Sequence, residues 1–155
     1  MQLALDGRMY SVVSAYTPFG YLCWEIFVDE AMDAAMFQNF LRERLQPILR
    51  DNDFGILDNA SVHKTDESLQ ALEDVFQGRF RFSVEYCFID KPIERGYSNI
   101  KNFIRGSIRN GDDIIAKINE AFELYSVNGL RGRHAYHHFD RYIENHERFL
   151  QDMRL

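Results

Sequence analysis

The first part of the chain carries two apolar segments that are typical of a β-hairpin. Residues 9–16 and 21–28 are rich in β-branched and aromatic side chains, and Thr17-Pro-Phe-Gly20 lies between them. Side chains of this kind favour strands, whereas proline and glycine in a short connection favour a turn. The pattern therefore predicts two strands joined by a tight turn.

The next segment changes to helical spacing. After Asp33, which is suited to cap a helix, apolar residues recur at intervals of three and four. A short apolar run over 54–57 ends at Asp58 and has the profile of a buried strand followed by a polar loop. A second helix is predicted from about Thr65 to Phe76. The side chains expected to be buried by the two helices are Phe37, Phe40, Leu41, Leu45, Ile48, Leu69, Leu72 and Phe76.

The second half of the chain predicts one more strand and three helices. Residues 80–86 alternate like a half-buried strand, and Pro92 stands where the first turn of a helix is expected. Gly111-Asp112 ends this third helix and caps a fourth, and an amphipathic helix is predicted from Arg133 onward. The positions expected to face inward are Ile93, Tyr97, Ile100, Ile104 and Ile108, then Ile115, Ile118, Phe122 and Tyr125, then Tyr136, Phe139, Ile143, His146, Leu150 and Met153.

Composition narrows the class of protein. A chain of 155 residues with 46% hydrophobic residues is long and apolar enough for one domain with its own core. Its net charge of −6 excludes a uniformly phosphate-binding surface, so any nucleic-acid contact is expected to be local. No apolar run suits a membrane span and no signal peptide is apparent, so we expect no membrane partner and no secretion. Cys23 and Cys87 are too few for a disulfide scaffold or a four-thiolate zinc site.

Two carboxylates occupy positions where α/β proteins form sites. Asp58 ends a predicted strand, and Glu94 lies in the first turn of the helix that follows the next strand. Strand ends and helix starts of this kind meet at one edge of a sheet, and paired carboxylates there suit a hard divalent ion such as Mg²⁺ or Mn²⁺. The spacing alone is also what ordinary turn and helix-start residues show, so on this pattern a purely structural role stays open.

Positive charge is concentrated around the same segment. Residues 79–109 carry seven basic and three acidic residues and so amount to +4, while the rest of the chain amounts to −10. Lys101, Arg105 and Arg109 recur every four residues, which predicts one basic side of the third helix. A phosphate backbone fits such a surface, and so does an ordinary solvated helix face.

Two motifs make the sequence recognisable. Asp58-Asn-Ala-Ser-Val-His63, followed by Pro92-Ile-Glu94-Arg95, resembles the mariner-type DDE transposases and their bacterial insertion-sequence relatives. The resemblance runs in collinear order over about residues 7–109. The 35 residues between Asp58 and Glu94 are close to the spacing that this family uses between its second and third acidic residues.

The resemblance implies an RNase H-like mixed sheet that cuts and joins DNA with Mg²⁺ or Mn²⁺ held by three carboxylates. Asp58 matches the second carboxylate and Glu94 the third, and both are expected to be catalytic metal ligands. Asn59 and His63 are expected to shape the site. The residues expected to bind DNA are Lys64, Lys91, Arg95, Lys101, Arg105 and Arg109.

The sequence departs from the family pattern in three places. The first carboxylate is expected on a strand before the hairpin, and Asp6 is a poor substitute because it adjoins the first recognisable strand. We therefore expect either that the chain is only marginally stable alone, or that the gap in the sheet is filled by residues 1–5, by a partner or by a rearrangement of the strands. Phe88 and Lys91 replace a proline and an asparagine that position the glutamate in the family. No helix-turn-helix module for recognising transposon ends is present in this sequence.

These patterns together predict an α/β chain whose residues 1–110 form a partial RNase H-like core without the usual first strand. Residues 111–155 are expected to add two helices that pack on the core or pair with a second copy. We expect a transposase-like protein that is catalytically incomplete as written. One alternative is an inactive remnant that binds DNA or assembles with a fuller transposase copy. Another is a misplaced gene start, in which case this sequence is the C-terminal part of a full enzyme. Such a protein is expected in the nucleus of a eukaryote or at the nucleoid in the bacterial cytoplasm.

Histidines of the last helix have a weaker claim to function. His134 and His138 have the spacing of a metal pair but no acidic partners, so a solvated, pH-sensitive helix face is the favoured interpretation. His146 lies on the apolar side of the same helix and is expected to be a core histidine with its hydrogen bonds satisfied.

Overall fold

The computed structural model describes residues 1–83 and 91–152, and all structural statements below concern these residues. The last part of the predicted strand over 80–86, together with Cys87, lies outside them. The strands and helices are β1 (Gln2–Leu5), β2 (Arg8–Thr17), β3 (Gly20–Val28), α1 (Ala34–Asn39), β4 (Gly55–Leu57), α2 (Asp66–Phe76), β5 (Phe80–Phe82), α3 (Pro92–Ser107), α4 (Ile114–Leu124) and α5 (Ala135–Asp152).

β1 is a strand that the hydrophobic pattern did not predict. It pairs antiparallel with β2, from Leu5 opposite Arg8 to Gln2 opposite Ser11. The connection has positive φ at both Asp6 (49°) and Gly7 (75°), which is the backbone of a two-residue hairpin turn. Asp6 is therefore a turn residue. The chain's own first residues thus pair with the hairpin, whereas β4 lies in a separate sheet, so the filling of the gap between the hairpin and β4 stays a prediction.

The predicted hairpin of β2 and β3 is confirmed. The Thr17 hydroxyl organises its turn, because it donates to the carbonyl oxygen of Gly20 at 2.9 Å and accepts from the Phe19 amide at 3.2 Å. At the opposite end, the Met9 amide donates to the Asp29 carboxylate, and the Asp29 amide donates to the Met9 carbonyl oxygen. The hairpin is thus closed by hydrogen bonds at both ends.

The strands form two sheets rather than one. β1, β2 and β3 lie side by side in that order, and β4 pairs with β5 in a separate parallel sheet within the described ranges. The expectation that β4 is a buried strand is wrong, because Ile56 at its centre is 62% exposed. Gly55 lies against the Phe76 ring, so the next side chain points away from α2. α2 therefore covers one face of this short strand, and the side chain of Ile56 lies on the other face.

Capping residues confirm where the first helices begin. The Asp33 carboxylate accepts from the Met36 amide at 2.8 Å ahead of α1, and the Thr65 side chain accepts from the Ser68 amide ahead of α2. α1 continues as a π-helix over Phe40–Leu45 and a 3-10 turn over Gln46–Ile48, so the predicted single helix changes its winding. The residues predicted to be buried but found exposed are Ile48, Leu69, Ile115, Tyr136 and Ile143.

The segment between α3 and α4 corrects two further expectations. α3 ends at Ser107, and Ile108 has an extended backbone, so Arg109 lies beyond the helix and not on its face. The Arg109 amide instead donates to the Asp112 carboxylate at 2.8 Å. Asp113, and not Asp112, caps α4 by accepting from the Ala116 amide. The turn between the helices therefore uses two consecutive aspartates for different purposes.

The chain divides into two compact units. The first comprises Met1–Val13 and Trp24–Cys87, and its buried residues include Phe37, Leu41, Leu72 and Phe76. The second comprises Ser14–Cys23 and Phe88–Leu155, and there α3 packs against both α4 and α5. Its fully buried side chains include Tyr21, Ile100, Ile104, Ile118 and Phe122. The division at residue 110 stays a prediction. Among the described helices, none has the length and apolar character of a membrane span.

Candidate functional site

Asp58 lies directly after β4, as the motif predicts. β4 and β5 run parallel with Leu57 opposite Phe82, and the Ser83 amide donates to the Leu57 carbonyl oxygen at 2.7 Å. The ends of both strands therefore lie side by side. The side chain of Asp58 is 53% exposed, so its carboxylate is open to solvent at this edge of the sheet. An exposed carboxylate at a strand end is able to accept a cation.

Two local hydrogen bonds fix the backbone that carries Asp58. The Ala60 amide donates to Asp58 Oδ1 at 3.0 Å, which forms a turn over the aspartate side chain. The Asn59 side-chain amide donates to the carbonyl oxygen of Ser83 and so ties the loop after β4 to the end of β5. Asn59 therefore holds the two strand ends together, and its role in shaping a site stays a prediction.

His63 contacts the same carboxylate from a 3-10 turn over Ser61–His63. Its Nδ1 lies 2.9 Å from Asp58 Oδ1 and 3.3 Å from the Asp58 carbonyl oxygen. Its ring packs on Phe37 with the centroids 4.3 Å apart, and its side chain is only 12% exposed. The ring is thus held on one side by an aromatic contact and on the other by the aspartate. His63 is well placed to orient Asp58.

Lys64 follows immediately and lies over an aromatic ring. Its Nζ is 5.2 Å from the centroid of Phe82 in β5, within the range of a cation–π contact. The end of the small parallel sheet therefore carries an acidic side chain, that of Asp58, and a basic side chain, that of Lys64. Binding of DNA by Lys64 stays a prediction.

Glu94 lies in the first turn of α3, as predicted. Pro92 occupies the first helical position, and the Glu94 amide donates to the Lys91 carbonyl oxygen at 3.0 Å. The side chain of Glu94 is exposed, and a carboxylate at a helix N-terminus is favoured by the helix dipole. Arg95, the next residue, is half-buried. The local structure therefore leaves the Glu94 carboxylate open to solvent.

The two carboxylates belong to different units of the chain, Asp58 to the first and Glu94 to the second. That they meet at one metal stays a prediction. Within residues 1–83 and 91–152, no group of three or more histidine, cysteine, aspartate or glutamate residues is arranged to hold a metal ion.

A cluster of phenol rings lies beneath the first turns of α3, and the sequence patterns did not predict it. Tyr16 and Tyr21 have ring centroids 4.5 Å apart, and Tyr21 is stacked with Tyr97 at 6.3 Å. Gly96 gives these rings room, because a Cβ there would lie 2.6 Å from Tyr21 Oη and 3.0 Å from Tyr16 Cζ. Burial, with a further contribution from neighbouring phenols, raises the pKa of both Tyr16 and Tyr21, so both stay protonated.

Tyr16 also links this cluster to α5. Its Oη lies 2.7 Å from His138 Nδ1. Burial, followed by the positive charge of Arg95, lowers the pKa of His138 and so favours the neutral ring, whose tautomer decides which of the two groups donates the hydrogen bond. The expectation that His138 lies on a solvated helix face is wrong, since the ring is partly covered. His146 is half-buried, but its Nδ1 has no hydrogen-bond partner among the described residues, so the satisfied histidine predicted here is not found.

The predicted basic face is shorter than expected. Lys101 and Arg105 lie one turn apart on α3, with Lys101 half-buried and Arg105 exposed. Arg109 is exposed but lies outside the helix. A helical track of three bases is therefore reduced to two, and Arg109 occupies the turn that follows. Whether these residues bind DNA stays a prediction.

The comparisons with known proteins show the fold. The sequence matches no protein-family model and no curated protein. A solved structure of the Mos1 transposase catalytic domain, determined with raltegravir and Mg, is similar to this chain with a TM-score of 0.67 and 15% sequence identity. The similarity covers 92% of this chain and 76% of that one. At this identity the likeness establishes the fold alone, and the predicted mixed α/β, RNase H-like class is confirmed.

Proposed function

We propose that this chain is the core of a DDE-type transposase, a protein that cuts and joins DNA strands with divalent ions held by carboxylates. The observation that carries the proposal is the fold shared with a transposase catalytic domain over 92% of the chain. The position of Asp58 directly after β4, with Asn59 and His63 holding its loop, supports it independently.

Asp58 and Glu94 are the proposed ligands of Mg²⁺ or Mn²⁺. Both are exposed carboxylates, and hard divalent ions prefer oxygen ligands, so the donor chemistry fits. The structural neighbour was solved with Mg, which supports the same choice of ion here. When bound, such ions activate the attacking oxygen and stabilise the leaving oxygen in a displacement at phosphorus. His63 orients Asp58, and Asn59 keeps the ends of β4 and β5 together.

A third carboxylate is the part of the machinery that remains unassigned. The family resemblance implies three acidic ligands, whereas Asp58 and Glu94 supply two, and Asp6, which directly follows β1, belongs to a two-residue hairpin turn. We therefore expect the chain by itself not to nick supercoiled DNA in the presence of Mn²⁺. Nicking that disappears in Asp58→Asn would show that two carboxylates suffice.

DNA binding is proposed for the basic residues around these carboxylates. Lys101 and Arg105 lie one turn apart on α3 and so present two charges to a phosphate backbone. Arg109 follows in the turn after the helix, and Lys64 follows the loop of Asp58. Lys91 and Arg95 flank the first turn of α3 on either side of Glu94.

The second candidate is a non-catalytic protein that binds DNA or assembles with a fuller transposase copy. The basic residues of α3 favour it, because phosphate binding by Lys101 and Arg105 requires no metal. The two proposals differ in whether divalent ions contribute to DNA binding.

Fluorescence anisotropy of a labelled duplex separates the two proposals. At constant ionic strength, Mn²⁺ should strengthen binding relative to EDTA when a carboxylate site lies beside the phosphates. Asp58→Asn should abolish this increment, whereas the exposed control Asp51→Asn should retain it. Binding that is the same with Mn²⁺ and with EDTA in the unmodified protein would favour the non-catalytic candidate.

A further inference from the structure

Tyr21 is a fully buried aromatic side chain of the second unit, and its hydroxyl has no hydrogen-bond partner within residues 1–83 and 91–152. Its relative exposure is 0%, and Oη has no hydrogen bond among the described residues. Leaving a buried hydroxyl unpaired is unfavourable, and phenylalanine would avoid the cost. Hydrogen bonding within the described residues therefore does not account for this hydroxyl, which leaves its steric contacts.

These steric contacts are visible at Gly96. An ideal Cβ at this position would lie 2.6 Å from Tyr21 Oη and 3.0 Å from Tyr16 Cζ, so only glycine lets the backbone of α3 rest on the two rings. Glycine within a helix lowers its stability, so its presence here needs a packing reason. Gly106, in the same helix, has no atom within 4 Å of its ideal Cβ and shows what an unconstrained glycine looks like.

The same contact determines where Glu94 points. Residues two apart on an α-helix are separated by about 200° around its axis. With Gly96 against the rings, Glu94 is turned to the opposite side, where its side chain is exposed. Tyr16 is in turn held by its hydrogen bond to His138 and by its ring contact with Phe139, with centroids 5.5 Å apart.

We propose that Tyr16, Tyr21 and Gly96 form a tyrosine seat that fixes the rotation of the first turns of α3 and thereby orients Glu94. The inference rests on the proposed function, because it gives Tyr21 the part of a positioning residue for a metal-binding carboxylate. The unpaired hydroxyl acts as a spacer between its ring and the helix backbone. The seat and the carboxylate it orients belong to the same unit of the chain.

A size-complementation experiment tests the seat. Gly96→Ala places a methyl group against the Tyr21 hydroxyl, and the double variant Gly96→Ala/Tyr21→Phe removes that hydroxyl. Gly106→Ala is the matched control, and Tyr21→Phe alone is the background for the double variant. The measurements are amide hydrogen exchange of residues 94–98, which requires no metal, and the Mn²⁺ dissociation constant.

Gly96→Ala should accelerate exchange in residues 94–98 and weaken Mn²⁺ binding about tenfold, the scale of losing a group that orients a ligand. Gly106→Ala should leave both measurements close to those of the unmodified protein. The double variant should recover part of both losses, because the 2.6 Å contact is removed.

Equal behaviour of Gly96→Ala and Gly106→Ala would overturn the seat, and so would a double variant no better than Gly96→Ala. Faster exchange without weaker Mn²⁺ binding would overturn its role in orienting Glu94. If Gly96→Ala does not fold, a folded double variant supports the seat and an unfolded one overturns it. Absence of Mn²⁺ binding in the unmodified protein would refute the proposed metal site, and the exchange data would still decide whether the seat exists.

Discussion

Replacement of His63 by alanine is the perturbation that best tests how the Asp58 loop is held. The substitution removes the contact of Nδ1 with Asp58 Oδ1 at 2.9 Å, its hydrogen bond with the Asp58 carbonyl oxygen, and a ring contact with Phe37 at 4.3 Å between centroids. The ring contact is worth about 0.5–1.5 kcal/mol. The polar contact is discounted to about 0.5–1 kcal/mol, because the Asp58 carboxylate is more than half exposed.

His63→Ala should therefore lower the free energy of unfolding by about 2 kcal/mol, which for a chain of this size corresponds to a decrease in Tm of about 4–8 °C. His63→Asn should recover the polar part only, because an asparagine amide is able to donate from near the Nδ1 position. The exposed His137→Ala is the control. Circular dichroism melts measure all three. A His63→Ala melt that coincides with that of His137→Ala would refute the idea that His63 holds this loop.

Three further predictions concern other contacts. Because the pKa of His138 is lowered on folding, the unfolded state binds more protons below about pH 6.5, so urea unfolding should show stability decreasing on acidification and a smaller decrease in His138→Gln. An equal decrease in both proteins would contradict this. Asn59→Ala should cost about 1 kcal/mol by urea unfolding, because its bond to the end of β5 is lost, whereas the exposed Asn52→Ala should cost little. For DNA binding, Lys101→Ala with Arg105→Ala should reduce the slope of log K against log salt by about 2, and an unchanged slope would exclude the contact.

Local signals were sufficient to predict most of the elements. Asp33 and Thr65 cap the first helices because their side chains accept hydrogen bonds from otherwise unpaired amides at the helix start. Pro92 begins α3 because proline has no amide hydrogen to leave unpaired there. β1 could also have been predicted, since Asp6-Gly7 is a strong signal for a two-residue hairpin turn. The hydrophobic pattern alone does not predict it, because its four residues, Gln2–Leu5, are few and only weakly patterned.

Burial was predicted less well than helix position. Ile48, Leu69 and Ile115 follow the helical spacing yet are exposed, because the spacing gives the direction of a face but not how far the neighbouring elements extend over it. The four-residue repeat extends α3 to Arg109, whereas the helix ends at Ser107 and the Arg109 amide donates to Asp112 in the following turn.

The candidate site also contains one part that local sequence signals predict and one part that they do not. Asp58 follows a strand, as the local pattern predicts, and Asn59 and His63 make contacts in its loop, whereas their roles at a metal site stay predictions. The tyrosine seat joins Tyr16 and Tyr21 to Gly96, which lies more than seventy positions away along the chain. Such a contact has no local pattern. The one available signal was a glycine inside a strongly predicted helix, which often marks a close approach of another group.

The measurement that tests the central claim most directly is isothermal titration of the full chain with Mn²⁺. The account predicts a binding signal that is lost in both Asp58→Asn and Glu94→Gln and retained in the exposed control Asp51→Asn. Each variant should still melt cooperatively, so that loss of binding reflects the missing ligand and not an unfolded chain. Unchanged Mn²⁺ binding in both Asp58→Asn and Glu94→Gln would contradict the assignment of these carboxylates to a metal site.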